Sequence, residues 1–312
     1  MKLYQCIQRI EDNVLSNSDR QGKAANPLFT KRAIVNALDT ALWDYSQTTL
    51  GIEGIKTYAL VSGQAKILAP SDRVRAQQYR TIAAVISQRW YLLEIETQNW
   101  MKSKFFTETT HSNIPTRVSL WEDEITIRPV PTTTYKQTTL GGNITAETTN
   151  IPVVSTAGFL QFGGRVHLNG EIISYESTDA TTFKGCRRGL ESTVAASHTL
   201  GSVFCEANFW IYYNKKHWEI PMFDNSTIDP DWLDKEMEVN DVHMSAVIDE
   251  ASYQLLSRVD MQRAAFYRAD YKEFLEKAKN DISYGQANQN LGSNVRNQYL
   301  FEQTAWGEPL LM

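Results

Sequence analysis

Residues 136–206 form a β-rich segment that interrupts a chain whose other long segments carry helical patterns. Before this segment, the run Trp121–Pro131 has the pattern of a short strand that ends in a turn marked by prolines. After it, Asn208–Tyr213 is a continuous apolar run, which is typical of a buried strand. The chain therefore leaves one layer, builds a separate module and returns, and we expect the module to contact another molecule.

The inserted segment has the composition of an antiparallel sheet. Short runs rich in Thr and Val alternate with glycine pairs at Gly141–Gly142 and Gly163–Gly164. The dipeptide Asn169–Gly170 separates two strand-like runs, which is a strong signal for a two-residue hairpin turn. Glycine permits the positive backbone angles that such turns require. The pattern predicts a compact module of antiparallel strands.

Helical periodicity marks four segments outside the module. Apolar residues recur at helical spacing over residues 2–16 and again over residues 26–51. We predict a third helix over residues 71–90 and a fourth over 242–279, which contains no internal Gly or Pro. The apolar stripe of the fourth segment predicts one long helix that packs on the N-terminal helices.

Together these patterns predict an α+β fold: a helical bundle with a long C-terminal helix, a small β element and an inserted antiparallel β-rich module. We expect a helical domain built from 1–135 with 207–282, the module at 136–206, and an extended C-terminal arm at 283–312. Because the composition changes at both ends of the module, we expect that it can be removed without unfolding the rest.

Composition and charge exclude several classes of protein. The formal net charge of -5 argues against a dedicated nucleic-acid binder, because such proteins are usually basic. Cys6, Cys186 and Cys205 do not make a disulfide framework, and we expect free side chains. The sequence has neither a signal-peptide pattern nor the roughly 20 apolar residues that span a membrane. We expect synthesis in a reducing cytoplasm and no membrane contact.

No catalytic or cofactor-binding motif is present, so we expect no enzyme, no cofactor and no metal. A cluster of His198 with Cys186 and Cys205 is an alternative, but we expect His198 to be a hydrogen-bonded turn residue. Acidic runs such as 122–124 and 229–234 are expected to be solvated loops, although the sequence leaves a paired-carboxylate sugar cleft open. The five histidines have no metal-ligand spacing: His111, His167, His198, His217 and His243.

The C-terminal arm combines a polar tether with apolar anchors. Residues 286–294 are rich in Gln, Asn, Gly and Ser, a composition that cannot pack a core. We expect the arm to become ordered on a partner; the alternative is a tail that folds back on its own domain. The anchors that we expect to dock on that partner are Tyr299, Leu300, Phe301, Trp306 and Leu310.

Two parts of the module resemble a segment that recurs in the virion proteins of tailed bacteriophages. They are Gly170–Tyr175 and Phe183–Val203. The shared pattern has a Gly-Glu hairpin, an Arg-Gly turn, a Thr-x-Ala step, and a His before a Gly and a strand. This resemblance implies a structural virion protein without fixing its role.

The frame around the insertion resembles the head-to-tail adaptor (connector) proteins of tailed phages. In both, helices are followed by a strand with a proline-rich exit, a second strand, an Ile-Pro loop, a long helix and a C-terminal arm. Here those parts are Ile125–Pro131, Phe209–Tyr213, Ile220–Pro221, 242–279 and 283–312.

The adaptor resemblance implies a non-enzymatic protein at the head–tail junction of a virion, assembled in the host cytoplasm. It implies a ring of identical subunits, commonly a dodecamer, seated under the portal protein. DNA passes through the ring without sequence-specific binding, and the C-terminal arm grips the portal. The module at 136–206, which a minimal adaptor lacks, projects outward or towards a tail nozzle, hub or fiber protein.

Two alternatives remain at this point. One is another virion component, such as a tail-hub or fiber-attachment protein. The other belongs to a different class and is a carbohydrate-binding or carbohydrate-degrading receptor protein. A cleft with paired carboxylates would favour the carbohydrate function, and a closed ring with an axial pore would favour the adaptor.

Overall fold

The computed structural model describes residues 1–15, 29–74, 79–100, 111–112, 114–132, 134–221, 228 and 230–282. These residues form two compact units. The described residues of the first unit are those within 1–53, 72–74 and 214–282, and those of the second lie within 54–71 and 79–213.

The helices are α1 (Leu3–Val14), α2 (Lys31–Thr49), α3 (Pro230–Leu233), α4 (Met244–Leu256) and α5 (residues 261–282). The first strands are β1 (Glu53–Tyr58), β2 (Lys66–Leu68), β3 (Tyr79–Ile86), β4 (Arg89–Leu92), β5 (Glu94–Glu96), β6 (His111–Ser112), β7 (Arg117–Trp121), β8 (Glu124–Arg128) and β9 (Val130–Pro131). The inserted segment and its exit add β10 (Gln137–Thr139), β11 (Ile151–Pro152), β12 (Arg165–Leu168), β13 (Glu171–Ser174), β14 (Ser177–Thr178), β15 (Thr182–Lys184), β16 (Val203–Glu206) and β17 (Phe209–Asn214).

The first unit is helical, and α4 packs against both α1 and α2. The two N-terminal helices form where the sequence predicts helices over 2–16 and 26–51. Helix α2 begins after Thr30, whose hydroxyl accepts the backbone N–H of Ala33 at 3.2 Å and caps the helix. The buried stripe of α1 is Leu3, Cys6, Ile7, Ile10 and Val14.

The central sheet of the second unit has the strand order β1–β17–β3–β4 and carries buried side chains on both faces. In β17, Phe209, Ile211 and Tyr213 lie in the core shared with the sheet β2–β8–β7–β5, whereas Trp210 lies in the core of the inserted segment. Alternate side chains of a strand point to opposite faces. Double burial therefore explains the continuous apolar run, and the predicted buried strand is confirmed.

The inserted segment folds into two small antiparallel sheets with the strand orders β10–β16–β12–β13 and β11–β15–β14. Asn169 and Gly170 form the turn between β12 and β13 with φ angles of 50° and 87°. This hairpin is confirmed. The Phe183 ring lies 5.3 Å from that of Phe159 and 5.7 Å from that of Phe204, and these rings fill the core.

The predicted fold class is wrong. The chain is mixed α/β and β-rich, rather than a helical bundle with a long C-terminal helix and a small β element. Most of the strands outside the inserted segment span only two to six residues, too short for a period of two to stand out in the sequence. In the run Trp121–Pro131, for example, Glu124–Arg128 form β8, which pairs with β7 in a hairpin.

The helix predicted over 71–90 is also wrong, because the described part of this region holds the hairpin of β3 and β4. Its two-residue turn is Ser87–Gln88, and both residues have positive φ angles, 52° and 65°. The turn contains no glycine, so the usual sequence signal is missing. The Gln88 side-chain amide donates to the carbonyl of Phe159 at 2.8 Å, a tertiary contact that supports this unusual turn.

The single helix predicted over 242–279 is interrupted between Leu256 and residue 261, and α4 and α5 are separate helices. Asp260 explains the interruption. Its Oδ1 accepts the backbone N–H of Arg263 at 3.0 Å, so Asp260 caps the N-terminus of α5.

The predicted division into 1–135 with 207–282, 136–206 and 283–312 stays a prediction. The packing adds one fact about the inserted segment: its buried core includes Val85 and Trp210 from the central sheet. The C-terminal arm lies outside the described residues.

Candidate functional site: a buried ionic network and two exposed surfaces

The residues of the virion-protein pattern meet around one carboxylate. Glu171 follows the Asn169–Gly170 turn, which places its side chain inside the module, almost fully buried. The Nε and Nη2 atoms of Arg188 donate to the two carboxylate oxygens at 2.6 and 2.7 Å. The backbone N–H groups of Gly189 and Ala196 donate at 3.1 and 3.3 Å, and His198 Nε2 donates at 2.8 Å.

This network keeps Glu171 ionised. Burial opposes ionisation, but the hydrogen bonds from Arg188 and His198 outweigh it and lower the pKa of Glu171 to about 2. Arg188 also donates to the carbonyls of Thr145 and Ala196 at 2.8 and 2.7 Å. Because both carboxylate oxygens accept hydrogen bonds from several parts of the chain, the network holds these segments in place.

The backbone conformation of the loop Gly189–Thr193, which follows Arg188, is also constrained. Gly189 has a φ of 65°, and a Cβ atom there would lie 2.9 Å from the nitrogen of Ala195. Glu191 and Ser192 also have positive φ angles, 54° and 65°. The Thr193 hydroxyl accepts the Ile172 N–H at 3.1 Å. The Arg-Gly and Thr-x-Ala parts of the pattern are therefore explained by turn geometry and hydrogen bonding.

A second buried carboxylate ties the module to strand β1. The Glu191 side chain is almost fully buried, and Arg165 Nη1 donates to it at 2.6 Å. The backbone N–H and the hydroxyl of Thr57 donate to Glu191 at 2.9 and 2.7 Å. The Arg165 guanidinium lies 5.2 Å from the centre of the Trp210 ring. Module and central sheet are thus joined by polar as well as apolar contacts.

The first unit has a cleft beside α2, which we call the Trp43 cleft. It encloses about 460 Å³ and is lined by α2 and by the segment 216–220. The Trp43 side chain forms part of this lining and is 53% exposed. Asp39 Oδ1 accepts the Ile220 N–H at 3.3 Å. Burial, with a smaller contribution from the nearby Glu219, raises the pKa of Asp39 to about 6.

The far wall of the cleft is held in place by a neutral histidine. His217 Nδ1 donates to the Trp218 carbonyl at 2.7 Å, and its Nε2 accepts the Glu238 N–H at 3.2 Å. Burial lowers the pKa of His217 to about 4. The Lys235 ammonium lies 4.3 Å from the Trp218 ring and 3.6 Å from the Trp232 ring. The Trp218 indole N–H is buried without a hydrogen-bond partner among the described residues.

Helix α5 carries an exposed apolar stripe in its first two turns, which we call the Phe266 stripe. Met261 and Phe266 are 68% and 73% exposed, and Ala265 and Ala269 are exposed beside them. Val259, just before the helix, is 49% exposed. The opposite face of α5 is buried in the helical core through Ala264, Tyr271, Leu275 and Ala278.

The structure describes some of the site residues predicted from the sequence and not others. The predicted anchors Tyr299, Leu300, Phe301, Trp306 and Leu310 lie outside the described residues, so portal docking stays a prediction. Cys6, Cys186 and Cys205 are free, and His198 is a hydrogen-bonded loop residue as expected. Within the described ranges, no group of three His, Cys, Asp or Glu side chains is placed to hold a metal.

The exposed surfaces were not found from the sequence. Trp43 lies off the apolar stripe of α2, on its polar side, and a large apolar residue in that position is a signal for a surface contact. Phe266 lies in the segment 242–279, whose apolar stripe was predicted to pack on the N-terminal helices. It is instead 73% exposed on α5.

No protein-family model matches the chain, and no curated protein matches it with significance. In the described part of the chain, no helix is both long and apolar enough to cross a membrane. Function is therefore inferred from the contacts around Glu171, from the exposed surfaces and from the virion-protein pattern in the sequence.

Proposed function

We propose that the chain is a structural virion protein of a tailed phage, a head-to-tail adaptor that forms a ring between portal and tail. The observation that carries this proposal is the closed network around Glu171. It engages the Arg-Gly turn and the His of the virion-protein pattern and leaves no free donor or acceptor on the carboxylate. Such a network suits a module whose task is to keep its shape under load.

Exposed apolar side chains on the helical unit support an assembling subunit. Trp43, Met261 and Phe266 are each more than half exposed. Monomeric soluble proteins rarely expose contiguous apolar patches larger than about a few hundred Å², and patches above that size mark contact sites. A ring of identical subunits needs two different complementary faces on each subunit.

The charge of the chain agrees with a channel that releases DNA. The formal net charge is -5, whereas proteins that retain DNA do so with rows of Lys and Arg that neutralise phosphates. In this proposal the helical unit forms the ring wall and DNA passes without sequence-specific contacts. The module contacts a tail nozzle, hub or fiber protein.

The C-terminal arm has the portal as its proposed partner. Its polar tether at 286–294 and its anchors Tyr299, Phe301, Trp306 and Leu310 suit a segment that becomes ordered on binding. Ordering costs roughly 1–2 kcal/mol of backbone entropy per residue, so only a large apolar contact can hold the arm. Repetition around a ring strengthens the contact through effective concentration.

A complementation experiment with imaging tests this function. Heads made in an infection that lacks this protein would receive either the full-length protein or a chain truncated after Gly285. We expect that full-length protein forms an axial ring on the heads and restores DNA retention, and that truncated protein remains folded but does neither. Heads that retain DNA without the protein, or full-length protein that never forms a ring, would refute the adaptor.

A further inference from the structure

The helical unit carries two exposed surfaces with complementary chemistry. The Phe266 stripe presents a projecting ring with Met261, and Val259 and the exposed Arg258 lie beside it. Arg258 thus places a cation at one edge of the stripe, and Asp270 is exposed on α5 one turn after Phe266. Its helix is fixed from behind by the buried side chains Ala264 and Tyr271, so the stripe is displayed on a rigid element.

The Trp43 cleft has the opposite character. It is concave, it is lined by the indoles of Trp43 and Trp218, and it contains the carboxylates of Asp39 and Glu219. Its volume of about 460 Å³ is large enough for an aromatic side chain. Lys216 is the cationic residue of the lining. The Trp218 N–H is buried and lacks a partner among the described residues.

We propose that the Phe266 stripe of one subunit docks in the Trp43 cleft of a second copy of this chain. Phe266 packs against the Trp43 and Trp218 rings, and Arg258 faces Asp39 and Glu219. The inference rests on the proposed ring and names the surfaces that close it. Arg258 beside the stripe is opposite in charge to Asp39 and Glu219 of the cleft, which favours a second copy of this chain as the occupant. Both surfaces belong to the first unit.

The two surfaces share no residue, which determines the kind of assembly. A stripe that docks in a different surface of the next copy makes a head-to-tail contact. Repetition of such a contact gives a ring or a filament, whereas a twofold dimer would need one surface to pair with itself. Aromatic and arginine side chains are also the residues that most often dominate the binding energy of interfaces.

Cross-linking between differently marked subunits tests the contact. One chain carries Thr40→Cys in the lining of the cleft and the other Ala269→Cys beside Phe266, so the proposed contact residues are kept. Both chains also carry Cys205→Ser, since Cys6 and Cys186 are buried and Cys205 is not. A short bis-maleimide is added to the concentrated full-length proteins and to assembled particles. We expect covalent dimers from the mixture, little product from either chain alone, and a ladder from a chain with both cysteines. Phe162→Cys, at a position 53% exposed in the module, replaces Ala269→Cys as the matched control.

Substitutions test the energetics of the same contact. Phe266→Ala should weaken subunit association by about tenfold or more, measured by sedimentation. Arg258→Glu should weaken it as well, and Glu219→Arg in the same chain should restore it. Circular dichroism checks that the exposed substitutions leave the fold intact.

The outcomes separate this inference from the adaptor function. Equal cross-linking by Ala269→Cys alone, or by the Phe162→Cys control, would refute the head-to-tail contact. Rings that form without the expected cross-link would refute the surfaces and leave the adaptor standing. Trp43-dependent binding of cellobiose, with assembly unaffected by Phe266→Ala, would assign the cleft to a saccharide and overturn the proposal.

Discussion

Glu171 and Glu206 are two buried carboxyl groups of the same module with opposite surroundings. Glu171 accepts hydrogen bonds from a guanidinium, a histidine and two backbone N–H groups, and its pKa falls to about 2. Glu206 ends strand β16, where one oxygen accepts the Lys136 N–H at 3.4 Å and the other has no partner among the described residues. Burial raises the pKa of Glu206 to about 7. Identical side chains thus differ in charge because their donors differ.

Glu171→Gln should lower the free energy of unfolding by about 3–5 kcal/mol, because it leaves Arg188 buried without its counter-charge. Urea denaturation of the variant and the wild type measures the difference. Glu176→Gln, an exposed neighbour, serves as the control and should change stability by less than about 0.5 kcal/mol. A Glu171→Gln protein as stable as the control would show that the network contributes little.

Glu206 should make stability depend on pH. Its folded-state pKa lies above the ordinary 4.5, so the folded protein binds the proton more tightly than the unfolded chain does. The resulting stabilisation is fully present below about pH 4.5 and is lost as pH rises through about 7. Between pH 5 and pH 8, the urea midpoint of wild type should fall more than that of Glu206→Gln. Parallel profiles would contradict a buried, protonated Glu206.

At the scale of elements, the two wrong helix predictions have different causes, one tertiary and one local. The β3–β4 hairpin turns at Ser87–Gln88 without a glycine and is supported by a contact from Gln88 to Phe159. The predicted long helix is divided by the cap that Asp260 gives to α5. The Asp260 signal was present in the sequence, since Asp favours helix N-caps. The hairpin had no comparable signal.

The corrected helix α4 makes a sharp prediction about two adjacent leucines. Leu256 is 1% exposed, whereas Leu255 is only partly buried at the edge of the helical core. Leu256→Ala should therefore cost about 2–5 kcal/mol of unfolding free energy, and Leu255→Ala clearly less. Urea denaturation of both variants gives the comparison. Equal losses, or a larger loss at Leu255, would show that the helix is rotated from its described position.

At the scale of the whole molecule, side chains from neighbouring sheets of the second unit pack together in common cores. Trp90 and Trp210 of the central sheet pack at 4.9 Å between ring centres, and both contact the core of the inserted segment. Buried Glu191 pairs with Arg165 and accepts a hydrogen bond from Thr57 of the central sheet. The module is therefore inserted in sequence but continuous with the central sheet in packing.

Deletion of residues 136–206 with a Gly-Ser bridge should now yield aggregated protein, in contrast to the expectation from sequence. The deletion would expose Val85, Trp90 and Trp210 on one face of the central sheet. Adding Val85→Thr and Trp210→Thr should recover part of the soluble yield, which sedimentation after expression measures. A deletion variant that is soluble and folded without these changes would establish the module as separable.

The sequence by itself determined the elements whose signals are local. The stripe of α1, the Asn169–Gly170 hairpin and the apolar strand after the insertion follow from side-chain spacing and turn chemistry. The pattern from Gly170 to Val203 also marked the residues of the Glu171 network, although not their contacts.

Only the tertiary structure decided which sheets the short strands join and which carboxylates are ionised. It also decided that Trp43 and Phe266 are exposed while Trp210 is buried. These properties depend on partners that are distant in sequence. A run of four or five apolar residues has the same pattern in a helix, in a strand or on an interface, and packing selects among them.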